Sequence, residues 1–186
     1  MHLVADYVEA ADEVLYNAAR VIAPDGELLA SYRKRLLYDS DMTWACAGDE
    51  REDAAAHAPN RHGSSDAQDA PYYPLFATPL GRMAVGICMD LNDDRFSDFL
   101  RIEQPELIAF PTNWLDQGHD IRPYWRYRLL GVSSVLVAAN TYGEELCEPH
   151  PPTRFLGRSA ILKLHGLLRA RTLAFAPAEG DAVIVA

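Results

Sequence analysis

Met83-Ala84-Val85-Gly86-Ile87, followed at once by Cys88-Met89-Asp90, decides how the rest of the chain is read. A continuous apolar run without alternation is the pattern of a strand covered on both faces. The pattern recurs at Leu107-Ile108-Ala109-Phe110 and from Val135 to Ala139. Between the first two runs, Asp93-Asp94 offers a helix start and Phe96, Phe99, Leu100 and Ile102 recur near helical spacing. Pro105 ends that helix. A second helix is predicted over 120–132, with Ile121, Tyr124, Trp125, Leu129 and Val132 on one face. The resulting β-α-β-α-β order indicates a layered α/β fold.

Outward from this centre the chain is β-prone. Val14 to Ala23 and Glu27 to Leu37 are predicted strands joined by the turn Pro24-Asp25-Gly26. Ser159 to Leu164 and Leu167 to Ala174 form a predicted hairpin about His165-Gly166, and Ala182 to Val185 a last short strand. Apart from Pro59 and Pro71, residues 48–71 carry no apolar side chain larger than Ala. Such a stretch cannot bury enough surface to offset its ordering entropy, so it reads as a mobile insertion within one domain spanning 1–186.

Composition narrows the function. The chain has 186 residues, 49% hydrophobic and 24% charged, which suits a single globular domain. A net charge of −10 argues against nucleic acid or an anionic membrane as partner. The longest uncharged stretch, Leu129 to Gly143, is too short and too polar to span a bilayer, and the N-terminal residues, with Asp6 and Glu9, read as no signal peptide. Cys46, Cys88 and Cys147 are far apart and match no metal or redox spacing, which suggests a reducing, cytoplasmic setting without metal or other cofactor.

Cys88 is the leading candidate for chemistry. It ends a predicted buried strand with a helix close behind, where a helix N-terminus stabilises a thiolate. The N–H of Met89 is placed to serve a developing oxyanion, and Gly86 permits close approach of a neighbour. The competing reading is an inert buried cysteine. Lys34 lies in Tyr32-Arg33-Lys34-Arg35, where strand alternation puts it on the opposite face from Arg33 and Arg35. It is either a charge partner for the thiol or part of a solvated edge. Asn113 and Trp114 follow one core strand and Asn140 follows the next, so two polar loops share one end of the sheet. No histidine sits where a core strand ends; a Cys–His hydrolase would need one beside Cys88.

Six segments in order resemble the nitrilase, or carbon–nitrogen hydrolase, superfamily. They are Tyr16-Asn17-Ala18-Ala19 with Pro24-Asp25-Gly26, Tyr32-Arg33-Lys34, Gly86-Ile87-Cys88-Met89-Asp90, Phe110-Pro111-Thr112-Asn113-Trp114, Ala138-Ala139-Asn140 with Gly143-Glu144, and Phe155-Leu156-Gly157-Arg158-Ser159. Leu36-Leu37-Tyr38-Asp39-Ser40-Asp41 with Trp44, and Cys88-Met89-Asp90-Leu91-Asn92, are similar to the branch that includes protein N-terminal asparagine amidohydrolases.

The resemblance implies an α-β-β-α sandwich assembled as a homodimer or higher homo-oligomer. It implies metal-free hydrolysis of a non-peptide carbon–nitrogen bond by a Glu-Lys-Cys triad, on a small amide or a peptide N-terminus. Cys88 matches the nucleophile and Lys34 the lysine; Met89, Asn113, Trp114 and Asn140 are candidate substrate contacts. The family's base glutamate belongs upstream of the Tyr-Asn segment, in a strand-helix-strand unit that this sequence is expected to lack. Glu9 and Glu13 fall in a segment matching later family sequence, and Glu50 is the candidate for a further glutamate between lysine and cysteine. Loss of a general base costs on the order of 10²–10⁴ in rate, so a catalytically inactive relative serving as a binding subunit is the rival expectation.

Overall fold

The computed structural model describes residues 1–48, 73–146 and 152–186. Glu50, Cys147 and the predicted insertion beyond Gly48 lie outside the described residues.

The first strands are β1 (Leu3–Ala11), β2 (Val14–Ile22) and β3 (Leu28–Arg33), an antiparallel three-stranded sheet. Strand β1 escapes a sequence reading because Asp6 interrupts the row of Val4, Val8 and Ala10, and the alternation that marks a half-buried strand is lost. The Pro24-Asp25-Gly26 turn forms as predicted, with Gly26 at φ +90°. Strand β3 stops at Arg33, short of the predicted Leu37. The Asp90 carboxylate takes the N–H groups of Arg35 and Leu36 (3.2 and 3.0 Å) and draws the chain off the sheet.

Next come β4 (Leu75–Thr78), β5 (Gly81–Val85), α1 (Asp94–Glu103), β6 (Leu107–Thr112), α2 (Arg122–Arg128) and β7 (Val135–Asn140). A two-stranded sheet of β8 (Tyr142–Glu145) and β9 (Thr153–Leu156) precedes the hairpin β10 (Ala160–His165) and β11 (Leu168–Phe175). The central sheet runs β11-β10-β7-β6-β5-β4, with β5, β6 and β7 parallel and the outer pairs antiparallel. The two parallel crossovers are right-handed by the usual rule, which places α1 and α2 on one face.

Helix α1 is capped by Asp93, whose side chain accepts from the N–H of Arg95, and it ends on Gln104 at φ +45° just before Pro105. Helix α2 is shorter than the predicted 120–132, because Gly131, at φ +90°, gives its N–H to the carbonyl of Gly166. Residues 182–185 form no strand: Val183 and Val185 are 94% and 83% exposed, with no neighbouring strand to accept them.

One core joins the sheets. Ala19, Val21, Ala30 and Tyr32 from the three-stranded sheet share it with Ala84, Val85, Ile108 and Leu136 from the central one. Strand β1 lies against β6. On the helical side, Phe110 meets Trp125 edge-on, with ring centroids 5.8 Å apart. A Cβ added at Gly86 would collide with the Phe96 ring, so the neighbour that this glycine admits is a side chain of α1. The fold is α/β as read from the sequence, and the described residues supply a helix layer and two facing sheets of the sandwich.

Candidate active site

Strand β5 ends at Val85, and the chain turns into a tight 3-10 turn over Cys88–Asn92 before α1 begins. The turn is forced by Asp90, which is buried and accepts the N–H of Ile87 at 2.8 Å. Cys88 itself adopts φ +45°, a left-handed conformation costly for a residue with a Cβ. Such strain is retained where surrounding contacts over-determine it, as at nucleophiles set on sharp strand-to-turn corners.

Cys88 is half-buried. Burial pushes its thiol above the ordinary value; the Lys34 ammonium, the Thr112 hydroxyl and the backbone N–H of Asn113 pull the other way, and the Asp41 carboxylate adds to the rise. The expected thiolate held by a helix N-terminus is therefore corrected. The element after Cys88 is a single 3-10 turn with little dipole, and desolvation dominates. The thiol instead meets groups that favour its anion only as charge develops. Thr112 is 3% exposed, and its hydroxyl makes no hydrogen bond of normal geometry among the described residues.

Lys34 arrives from the opposite sheet. Its N–H still pairs with the carbonyl of Asn17 at 2.7 Å, which keeps its side chain on the inner face with Tyr32. The residue is 2% exposed and its Nζ lies 2.5 Å from Asp41 Oδ2. Asp41 also accepts the N–H of Tyr38 at 2.9 Å and the amide of Asn17 at 3.3 Å. Arg33 faces outward as predicted, paired with Glu9 at 2.9 Å. Arg35 does not follow it. Alternation ends with β3, and Arg35 is buried with its guanidinium 5.9 Å over the Tyr73 ring.

Asp90 fastens the two halves of the site together. It accepts from the Tyr32 hydroxyl at 2.7 Å as well as from the N–H groups of Arg35, Leu36 and Ile87. Burial lifts its carboxyl above the usual range, and those donors offset part of the rise. Asp6 lies on the same inner face, because it is opposite Ala19, which is opposite Tyr32. It is open to solvent, yet the protein packed around it raises its carboxyl to about 6, against the pull of Lys34.

The other predicted residues divide. Asn113 is exposed beside the sulfur, its side-chain oxygen accepting from the Thr141 hydroxyl at 2.5 Å. Met89 follows the thiol directly, its sulfur accepting from Asn92 at 3.1 Å. Trp114 and Asn140 stand behind the site. Trp114 packs 5.8 and 6.1 Å from Tyr124 and Trp125. Asn140 accepts from the N–H of Trp114 at 2.8 Å and donates to the carbonyl of Gly157 at 2.5 Å. Glu9 faces away and Glu13 sits in the β1–β2 turn. Among the described residues, the groups acting on the Cys88 sulfur include no histidine, and no cluster of three or more metal-ligating side chains occurs. Asp41, Asp6 and Thr112 were not anticipated. Asp6 lies in a strand whose period the sequence masks; Asp41 and Thr112 lie within segments that carry the resemblance, but nothing local assigns them a role.

Between the two facing sheets of this α/β fold, the Cys88 thiol therefore lies within the electrostatic reach of the Lys34 ammonium. Across residues 1–174 the chain matches the carbon-nitrogen hydrolase family, and it belongs to that family. It is 32% identical over 126 residues to a protein N-terminal amidase of Saccharomyces cerevisiae, covering 62% of this chain and 27% of that protein. It is 34% identical over 97 residues to an omega-amidase of Bos taurus, covering 52% of this chain and 30% of that protein. The chain thus spans less than a third of the curated relatives it matches. The fold is shared with a carbon-nitrogen hydrolase from Helicobacter pylori, with TM-score 0.73 and 18% identity, over 98% of this chain and 59% of that one. It is shared too with an amidase from Nesterenkonia sp. bearing acrylamide added at its active-site cysteine, with TM-score 0.68 and 20% identity, over 100% of this chain and 63% of that one. Among the described residues no helix is long and apolar enough to cross a membrane.

Proposed function

We propose that Cys88 is the nucleophile of an amide hydrolase and Lys34 its electrostatic partner. The observation that carries this reading is the convergence of the Lys34 ammonium, the Thr112 hydroxyl and the Asn113 N–H on the sulfur of a strained residue at the end of a core strand. The thiol starts protonated, so its proton leaves as the sulfur attacks. The Sγ–C bond forms and the carbonyl electron pair moves to oxygen, where the Lys34 ammonium balances the charge. Collapse breaks the C–N bond and releases ammonia or an amine carrying the thiol proton, leaving a thioester. Water then cleaves the thioester and restores the thiol. A carboxylate base for these transfers is what the family resemblance implies, upstream of the Tyr-Asn segment; Glu50 is the candidate only for the further glutamate between lysine and cysteine, and it lies outside the described residues. Asp41 orients Lys34 by ion pairing.

The substrate class favoured is a carboxamide, small or at a peptide N-terminus, in line with the names of the yeast and bovine relatives. Rapid acid quench of the chain with an excess of such an amide tests the mechanism by mass. The expected result is an acyl increment on the peptide containing Cys88 that hydroxylamine removes. An increment on another residue, or none with any amide, would overturn it.

A further inference from the structure

Asp6 is the charged group of the site that the proposed chemistry leaves unused. It projects from β1 onto the face shared with Tyr32 and Lys34, and β1 lies against β6, whose end carries Thr112. The strongest charge acting on Asp6 is the Lys34 ammonium, which is also the strongest charge acting on Cys88. Lys34, however, is committed to Asp41, and Asp90 is saturated by Tyr32 and backbone donors. Asp6 has no ion-pair partner among the described residues and remains solvent-accessible. A second unsatisfied group points into the same space, the buried Thr112 hydroxyl facing the thiol.

We infer that Asp6 is a specificity determinant, docking an ammonium group on the substrate. This deepens the proposed function and rests on it. The site would take amides that carry a free amine, such as an N-terminal asparagine with its α-ammonium, over amides that carry a carboxylate instead. The physical ground is a solvent-accessible carboxylate without an ion-pair partner among the described residues, on the sheet face that also carries Tyr32 and Lys34, which lowers the energy of a cation there and raises that of an anion. Lys34 taken alone predicts the reverse preference, for anions, so the sign of the selectivity is diagnostic.

The test uses two small thiol reagents differing in charge, cationic aminoethyl and anionic sulfonatoethyl methanethiosulfonate, with labelling read by peptide mass. Exposed Cys46 is the internal reference for each reagent's intrinsic bias. The cationic-to-anionic rate ratio at Cys88 is expected to exceed that at Cys46 by about five- to tenfold. Asp6→Asn should bring the two ratios together, Asp6→Glu should keep them apart, and Asp12→Asn, in the β1–β2 turn, should change nothing. An equal ratio at both cysteines in the unmodified chain, or one that survives Asp6→Asn, would overturn the inference. Should Asp6→Asn fail to fold, the unmodified chain still decides through paired substrates, an asparaginyl dipeptide against succinamate. Equal turnover of both, or faster succinamate, overturns the inference while leaving the amidase reading intact. Absence of any acyl-enzyme at Cys88 overturns that reading itself.

Discussion

Two strands of the central sheet, β5 and β7, flank β6 and lead into polar residues, and their exits are built to opposite purposes. At the end of β7, Asn140 is 9% exposed and both ends of its side-chain amide are bonded, to Trp114 and Gly157. At the end of β5, Cys88 is held in a left-handed conformation with charge and hydrogen-bond donors directed at it and none closing on it as a permanent partner. The first exit locks loops together; the second stores strain beside unsatisfied groups. Sequence position alone cannot separate the two, since each is a polar residue after an apolar strand. What separates them is whether the polar atoms are already satisfied.

This contrast predicts how substitutions divide. Lys34→Met should cost on the order of 10²–10³ in kcat, since it removes the charge opposite the developing oxyanion. It should also move the pH dependence of Cys88 alkylation further upward, because the Lys34 ammonium now lowers that thiol. Equal turnover in the variant would break the distinction between the exits at its reactive side. Asn140→Ala should act on stability, by about 2–3 kcal/mol, leaving the N–H of Trp114 and the carbonyl of Gly157 without partners. Urea unfolding measures this, and kcat below the melting transition should fall far less than in Lys34→Met. A kcat loss matching that of Lys34→Met would place Asn140 in the reactive machinery instead.

The smallest effect concerns Asp6. Its folded value of about 6 lies above the ordinary 3.8, so the folded chain holds this proton more tightly than the unfolded one. The stability it contributes is present below about pH 4 and lost as pH rises through 6. Asp6→Asn should therefore gain about 1 kcal/mol over the parent at pH 8, solvent screening limiting the amount, and nothing at pH 4. A gain independent of pH would mean that crowding around this carboxyl does not set its ionisation.

The parallel centre was legible because buried strands write continuous apolar runs, as at Met83–Ile87 and Leu107–Phe110. Lys34 and Cys88 were legible as types at strand ends, and through resemblance. Other features were hidden for physical reasons. Strand β1 mixes Asp6 into its inward face, so its period is masked. The early end of β3 depends on Asp90, 54 and 55 positions from the N–H groups it captures. The ion pair of Lys34 with Asp41 depends on a 3-10 turn at Asp41–Thr43 that folds the acid back. The upward shift of Cys88 comes from burial, which strand position suggests only weakly. Long-range contacts made by short polar side chains are where a one-dimensional reading stops.

The most direct test is competitive labelling of Cys88 and Cys46 by an amide-shaped alkylator, fluoroacetamide, at neutral pH, set beside a bulky generic maleimide. The account predicts that the maleimide favours the exposed Cys46, whose thiol is not buried, while fluoroacetamide favours Cys88 and loses that preference in Lys34→Met. If fluoroacetamide also favours Cys46, or if its preference for Cys88 persists without the ammonium, the sulfur and the lysine do not work together and the central claim is wrong.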